Sequence, residues 1–195
     1  DSLAPMITYS AGDSYQQVQD TLTAYMLSGE QVGWKYTCNI TAENGKVTLE
    51  VTNDVINGLS DDTANIISAE AEINAGGKVG AADKFFVTDS AKLSVIASED
   101  VFLKTINGNT EVTTITSENA SVNFVANGNV VADSICAAEN ADIETVGDLT
   151  VTTLTVGAEL SAEIGGKEYI YEKTGIQFAN FNSLYQMYAS IVEND

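Results

Sequence analysis

The sequence contains no histidine and no arginine. Without histidine there is no Ser-His-Asp triad, no Cys-His dyad and no His-ligated metal site, because each of these arrangements needs an imidazole ring. Without arginine the chain also lacks the planar guanidinium group that grips phosphate or carboxylate ligands through two hydrogen bonds. These two absences exclude most of the common catalytic and anion-binding arrangements.

Positive charge of any kind is scarce. Eight lysines stand against 28 aspartate and glutamate residues, which gives a formal net charge of −20. A nucleic-acid-binding protein needs a basic face, and an anionic membrane attracts basic residues as well. We therefore expect no nucleic-acid partner and no insertion into a membrane, with most carboxylates solvated on outward-facing positions.

Long hydrophobic runs are also missing, since no apolar stretch reaches the length of about 18 residues that predicts a transmembrane helix. The chain opens Asp1-Ser2-Leu3, with neither an initiator methionine nor the basic start of a signal peptide. This start predicts a processed chain or a piece of a longer protein.

The two cysteines, Cys38 and Cys136, fit no C-x-x-C metal or redox motif. Two alternatives stay open for them. They pair in a long-range disulfide, or they remain free thiols, with Cys136 buried as a small hydrophobic residue in an apolar stretch.

The strongest positive signal is an internal repeat of 19 or 20 residues. Glycine recurs with that period at Gly108, Gly128, Gly147 and Gly166. Three apolar columns share it: Ile96, Ile115, Ile135 and Leu154; Leu93, Val112, Ala132 and Val151; and Val87, Ile106 and Val125, which continues with a slip to Val146 and Ile164. Several independent columns with one period indicate a stack of similar units.

Each unit carries two short β-prone runs separated by small or polar residues, as in Val112–Ile115 and Val122–Val125. If the units stack in parallel register, the apolar columns become continuous ladders that fill the interior. A recurring glycine suits a tight corner, because glycine takes a positive φ without strain. The pattern predicts an all-β fold, a β-solenoid of parallel coils, over an antiparallel β-sandwich, whose turns need not recur at a fixed interval.

We place the solenoid at residues 52–166, with the clearest coils at 90–166, between less regular capping segments at 1–51 and 167–195. In the first capping segment, Asn44-Gly45 predicts a β-hairpin, and Ser14 to Tyr25 predicts a short helix. The second begins with an aromatic-rich stretch and ends in a predicted helix that Asn182 or Ser183 would cap. Its aromatic residues form either a lid over the open end of the core or a sugar-binding surface.

Acidic pairs are the remaining candidates for catalysis, because two carboxylates can act as acid and base on a polysaccharide. The pairs are Asp61-Asp62 and Glu99-Asp100, which we expect to be solvated turn residues. Glu99 and Glu118 align at 19 residues, so a stacked carboxylate pair could hold a divalent cation. We assign no catalytic, cofactor-binding or metal-binding residue, and no cofactor.

Three segments of the repeat, residues 73–83, 91–103 and 121–130, read INAGGKVGAAD, AKLSVIASEDVFL and SVNFVANGNV. They resemble the repeats of filamentous-haemagglutinin-like exoproteins, and the resemblance covers about residues 52–166. Members of that family are very long bacterial surface or secreted adhesins that fold as right-handed parallel β-helices. The family has no catalytic motif to carry over, and its helix seldom needs cysteine, so Cys38 and Cys136 depart from it.

The resemblance implies a non-catalytic structural or binding segment of a bacterial adhesin, located at the cell surface or secreted. Its partner would be a protein or glycan on a host cell or a neighbouring cell. One alternative is a carbohydrate-binding or polysaccharide-active β-helix protein that uses the aromatic tail or the acidic pairs. The other is a self-assembling surface module stabilised by cations.

Overall fold

The computed structural model describes residues 39–59, 63–172 and 174–182 of the chain. These residues form twelve β-strands and no helix. The strands are β1 Ile40–Val51, β2 Ile66–Ala75, β3 Phe86–Ala97, β4 Val101–Thr105, β5 Asn109–Ser117, β6 Val122–Ala126, β7 Asn129–Ala137, β8 Ala141–Thr145, β9 Leu149–Val156, β10 Glu159–Ile164, β11 Lys167–Glu172 and β12 Ile176–Asn182. The helices predicted from Ser14 and from Asn182 or Ser183 lie outside the described residues or extend beyond them.

The first ten strands pair in parallel with a strand of the next coil. One ladder runs through β1, β2, β3, β5, β7 and β9, and a second runs through β3, β4, β6, β8 and β10. The chain therefore winds back over itself once per repeat, which confirms the β-solenoid and rules out the antiparallel sandwich. At a strand spacing of about 4.8 Å, the six coils span roughly 24 Å from first to last.

Four columns of apolar side chains fill the interior of the coils, and their members are directly paired from coil to coil. They are Val47, Ala71, Leu93, Val112, Ala132 and Val151; Leu49, Ile73, Val95, Ile115, Ile135 and Leu154; Val55, Val79, Val101, Val122, Ala141 and Leu160; and Phe86, Leu103, Phe124, Ile143 and Ala162. All of these side chains are buried. Burial of stacked apolar surface is the main force that holds one coil on the next.

Two of the three predicted columns need correction. The column through Leu93 and Val112 is confirmed. In the second column Val95, not Ile96, lies opposite Ile115, because Thr113 is an extra residue that shifts the register between β3 and β5.

The third predicted column is wrong, because its members are not paired from coil to coil, although Val87 and Ile164 are themselves buried. Phe86 rather than Val87 and Phe124 rather than Val125 belong to the buried column. Val146 is 68% exposed. Successive members of the true column are 17, 21, 19 and 19 residues apart, so loops of unequal length hide the alignment from a fixed period.

The recurring glycines sit at a corner for a reason other than the predicted one. Gly108, Gly128 and Gly147 do not have a positive φ. A Cβ added at Gly128 would lie 1.7 Å from the carbonyl oxygen of Gly108, one coil below. At Gly128 the corner requires glycine because the stacked backbones approach too closely for a side chain. Gly166 does not continue this stack but forms a turn of positive φ with Gly165.

The hairpin predicted at Asn44-Gly45 is not formed. β1 continues through both residues as one strand, and it pairs in parallel with β2 on either side of them. The register shifts between Ala42 and Lys46, so the Asn-Gly pair lies in a bulge. The described coils accordingly begin at Ile40, upstream of the predicted start at residue 52.

The last two described strands reverse direction and close the end of the solenoid. β11 pairs antiparallel with β10, and β12 pairs antiparallel with β9, so each ladder ends on a reversed strand. Phe178 and Phe181 lie opposite Leu154 and Val151, in line with the interior columns, and both are buried. β11 and β12 thus form a lid over the core.

Candidate functional site

Asp100, a member of one candidate acidic pair that we expected to be solvated, joins two coils. Its Oδ1 accepts a hydrogen bond of 3.1 Å from the backbone N–H of Ser121, which occupies the same corner of the next coil. The same contact recurs along the corner: the N–H of Lys78 donates to Asp54 Oδ1, that of Asn140 to Ser121 Oγ, and that of Glu159 to Asn140 Oδ1. We call this series the corner ladder.

The corner ladder has a physical cause in the geometry of the turn. Residues at this corner lie between two β-runs, so their N–H groups lie outside the regular hydrogen bonding between paired strands and need another acceptor. A short side chain with an acceptor oxygen, one coil below, satisfies each of these donors. The carboxylate of Asp100 is therefore a structural acceptor, and its partner Glu99 is an exposed side chain on the same corner.

The predicted carboxylate pair of Glu99 and Glu118 does not stack. The backbone N–H of Glu118 bonds to Ala97, and its carboxylate accepts a bond of 3.2 Å from Ser98 Oγ. Glu99 lies instead above Gly77, to whose carbonyl its N–H donates. A one-residue difference in the corner separates the two glutamates, so they cannot share a cation as neighbours in one column.

A second polar stack was missed in the sequence. Asn129 Nδ2 donates to Asn109 Oδ1 at 2.9 Å, and Asn129 Oδ1 accepts from the N–H of Asp148 at 2.9 Å. Asn109, Asn129 and Asp148 are 20 and 19 residues apart, which is the period of the glycines beside them. This recurrence of short amide and carboxylate side chains with the period of the repeat is the sequence signal from which the stack could have been predicted.

The aromatic residues of the lid pack against each other and the core. The rings of Tyr171 and Phe178 lie 5.0 Å apart, those of Tyr169 and Phe181 6.0 Å apart, and those of Phe178 and Phe181 6.1 Å apart, all edge to face. Burial raises the pKa of Tyr171, and the charge on Tyr169 adds to the effect. The two buried phenylalanines and the two half-buried tyrosines therefore form one packed cluster over the end of the core.

The remaining acidic candidates do not assemble a site among the described residues. Asp61-Asp62 lies outside them. Glu144, Glu163 and Glu168 occupy directly paired positions on three adjacent strands. Even so, no group of three or more acidic or cysteine side chains in the described part of the chain is arranged to hold a metal ion.

The first two coils carry an ion-pair cluster. Lys46 Nζ lies 3.0 Å from Glu70 Oε1 and also pairs with the carboxylate of Glu72. Hydrogen bonds to Glu72 and then to Glu70 raise the pKa of Lys46. These residues lie on adjacent strands β1 and β2, so the pairs offset the negative charge between the first two coils.

One outward face of the solenoid carries no charge over four coils. It consists of the outward side chains in the last part of β3, β5, β7 and β9, after the paired residues Leu93, Val112, Ala132 and Val151: Ser94, Ile96, Thr114, Thr116, Ser134, Cys136, Thr153 and Thr155. We call it the neutral face. Cys136 is a free thiol and is half-buried on this face, so the expectation that it lies in the core was wrong.

The segment Gly76 to Gly80, which superficially resembles a phosphate-binding loop, is a corner of the solenoid. The N–H groups of Gly76 and Gly77 bond to Val51 and Asn53 of the preceding coil. No helix follows it among the described residues, so the helix N-terminus of a phosphate loop is missing there.

No described helix is long and apolar enough to cross a membrane.

Comparison with known proteins gives short matches. A rhamnulokinase of Ligilactobacillus salivarius (strain UCC118) is 67% identical over 30 residues, which is 15% of this chain and 6% of that protein. A rhamnulokinase of Lactiplantibacillus plantarum (strain ATCC BAA-793 / NCIMB 8826 / WCFS1) is 82% identical over 22 residues, 11% of this chain and 4% of that protein. The chain thus spans a small fraction of the curated proteins it matches. No protein-family model and no solved structure matches it.

Proposed function

We propose that this chain is a non-catalytic structural segment of a bacterial adhesin, a rod of stacked coils that extends or presents a binding surface at the cell surface or after secretion. The observation that carries the proposal is that polar side chains which could take part in catalysis form hydrogen bonds between coils instead. Four side chains form such hydrogen bonds to a neighbouring coil: those of Asp100, Ser121, Asn129 and Asn140.

The composition supports the same role. The absence of histidine and arginine leaves carboxylates as the main chemical resource, and the described carboxylates are not grouped as a metal site. A solenoid grows by adding coils without a change in its core, which suits a spacer between a cell and its target. A net charge of −20 keeps such a rod soluble and separate from its neighbours.

The rhamnulokinase matches do not favour an enzyme. Each covers at most 15% of this chain and 6% of the matched protein, which is less than a folded domain. The kinase activity in the name of those proteins is not proposed for this chain.

The test is to locate the chain on cells that produce it and to assay it for catalysis. An antibody against the purified chain should label intact cells or the culture medium. Labelling that appears only after the cells are opened would contradict the proposal. Specific cleavage of a glycan or a peptide by the purified chain would also contradict it.

A further inference from the structure

We propose that the neutral face binds an uncharged polysaccharide chain lying along the axis of the solenoid. The inference rests on the proposed role as a presentation rod, for which it names the partner. Its starting observation is the distribution of charge. Over the four coils that contain β3, β5, β7 and β9, the outward positions of this face hold only serine, threonine, isoleucine and cysteine, although the chain has 28 acidic residues.

Every other outward face of the same coils carries some charge, although β6 presents only the uncharged Asn123 and Val125. The outward position just before Leu93, Val112, Ala132 and Val151 holds, in successive coils, Lys92, Glu111, the exposed Val131 and Thr150. The outward positions of β8 hold Asp142 and Glu144. High β-propensity explains threonine on any outward strand position, but it does not explain why charge is missing from one face alone.

The hydroxyl groups of the neutral face form a regular array. Ser94, Thr114, Ser134 and Thr153 are paired from strand to strand, so their spacing along the axis is the strand spacing of about 4.8 Å. Thr116 and Thr155 lie two residues further along their strands. A hydroxyl can both donate and accept, so those of Thr114 and Thr116, which bond to each other at 2.9 Å, keep further hydrogen-bonding capacity, and the threonine methyl groups add apolar contact.

The chemistry of the array selects the class of partner. A flat face has no concavity to enclose a small molecule, whereas an extended polymer gains affinity from many weak contacts repeated along its length. Sugar hydroxyls are donors and acceptors like those of the face, and the C–H surface of a sugar ring suits the methyl groups and Ile96. A cationic partner would instead be drawn to the acidic faces.

The rim of the face selects against an anionic polysaccharide. One glutamate per coil lies beyond the strand ends of the neutral face: Glu99, Glu118 and Glu139 lie in the turns after β3, β5 and β7, and Glu159 is the first residue of β10. All four side chains are exposed. They would repel carboxylate or sulfate groups on a polymer bound to the face, while they can accept hydrogen bonds from neutral sugar hydroxyls.

A second copy of the chain fits the face poorly. Four strands by three residues give about 200 Å², well below the roughly 800 Å² per partner of a stable interface. Face-to-face contact would also bring two glutamate rims together. A neutral polysaccharide carries no charge for the glutamates to repel, and it does not need the contact area of a stable protein–protein interface.

The test compares binding of the purified chain to soluble hydroxyethylcellulose, mannan and xylan with binding to carboxymethylcellulose, by affinity electrophoresis. We expect retardation by at least one neutral polymer and none by the carboxymethylated one. Thr116→Val with Thr155→Val removes two hydroxyls of the face and keeps β-propensity, so binding should weaken about fivefold or more. The matched control, Thr113→Val with Thr150→Val, removes two outward hydroxyls that lie off the neutral face and should change binding less than about twofold.

Retardation by no neutral polymer, equal retardation by carboxymethylcellulose, or an equal loss in the control variant would overturn the inference. Thermal unfolding of both double variants shows that each is folded. A folded chain that binds no neutral polymer leaves the proposed rod in place. Release of new reducing ends from a polymer would instead contradict the non-catalytic function itself.

Discussion

At the scale of single residues, the distance between coils decides which side chains are allowed at the corners. Gly108 and Gly128 occupy equivalent positions in adjacent coils, and the N–H of Asn129 donates to the carbonyl of Gly108. The contact leaves no room for a Cβ at Gly128, whereas a Cβ at Gly108 would meet nothing within 4 Å. Two glycines with the same place in the repeat therefore face different constraints.

We predict that Gly128→Ala lowers the free energy of unfolding by about 2 kcal/mol or more, because the new methyl group meets backbone that cannot move aside. Gly108→Ala is the matched control and should change it by less than about 0.5 kcal/mol. Urea unfolding followed by circular dichroism measures both. Equal stability of the two variants would show that the coils do not stack as described.

The hydroxyl group of Thr88 is fully buried and has no hydrogen-bond partner. We predict that Thr88→Val raises the free energy of unfolding by about 1 kcal/mol, because it removes an unpaired polar group without leaving a cavity. Thr105→Val should lower it by a similar amount, since Thr105 Oγ1 lies 3.3 Å from Thr110 Oγ1. If both variants are destabilised equally, then Thr88 has a partner, such as a bound water.

At the scale of elements, the corner ladder joins each coil to the next through one side-chain oxygen. Asp100→Ala removes the acceptor for the N–H of Ser121, and we predict a loss of about 1 to 2 kcal/mol in the free energy of unfolding. Asp100→Asn keeps an acceptor oxygen, so its stability should stay within about 0.5 kcal/mol of the original. Chemical denaturation compares the three proteins, and an equally large loss in both variants would mean that charge, not the hydrogen bond, matters.

The lid gives the solenoid a pH dependence at the alkaline end. Burial raises the pKa of Tyr171 above its value of about 10 in an unfolded chain. The neutral phenol is favoured in the fold, so its contribution is complete below about pH 10 and is lost as the pH rises through the higher folded pKa. The raised pKa of Lys46 has the same sign, so the contribution of Tyr171 must be isolated by difference.

We predict that Tyr171→Phe, which keeps the ring contact with Phe178, reduces the loss of stability between about pH 9 and pH 11. The melting temperature of each protein across that range measures the effect. Parallel curves for the two proteins would show that the phenol is not buried by the lid.

At the scale of the whole molecule, the repeat made the architecture predictable. The column through Leu93 and Val112 was correctly predicted because the extra residue Thr113 comes after it and does not change its spacing. The position of Val95 was missed, since the extra residue Thr113 changes which of two adjacent apolar residues faces inward. Period alone cannot locate such a shift, because inward and outward positions differ by one residue.

The candidate surfaces were less predictable than the fold. From the sequence, Asp100 was expected to be a solvated surface acid. Only the stacked corner shows that its carboxylate accepts a hydrogen bond from the N–H of Ser121. Asn44-Gly45 looked like a hairpin turn, because turn preference is local while the parallel pairing of β1 with β2 is not. The neutral face could be recognised only once the register had fixed which side chains point outward.

The most direct test of the stacked-coil account is a cross-link between adjacent coils. Thr116 and Cys136 are paired residues on neighbouring strands of the neutral face. In a Cys38→Ser background, Thr116→Cys should join to Cys136 within one chain on treatment with a short bis-maleimide, which alkylates both thiols, and the linked peptides are detected by mass spectrometry. Thr114→Cys, two residues away on the same strand, should react much less. Efficient linkage from Thr114→Cys with none from Thr116→Cys would contradict the parallel register on which the account depends.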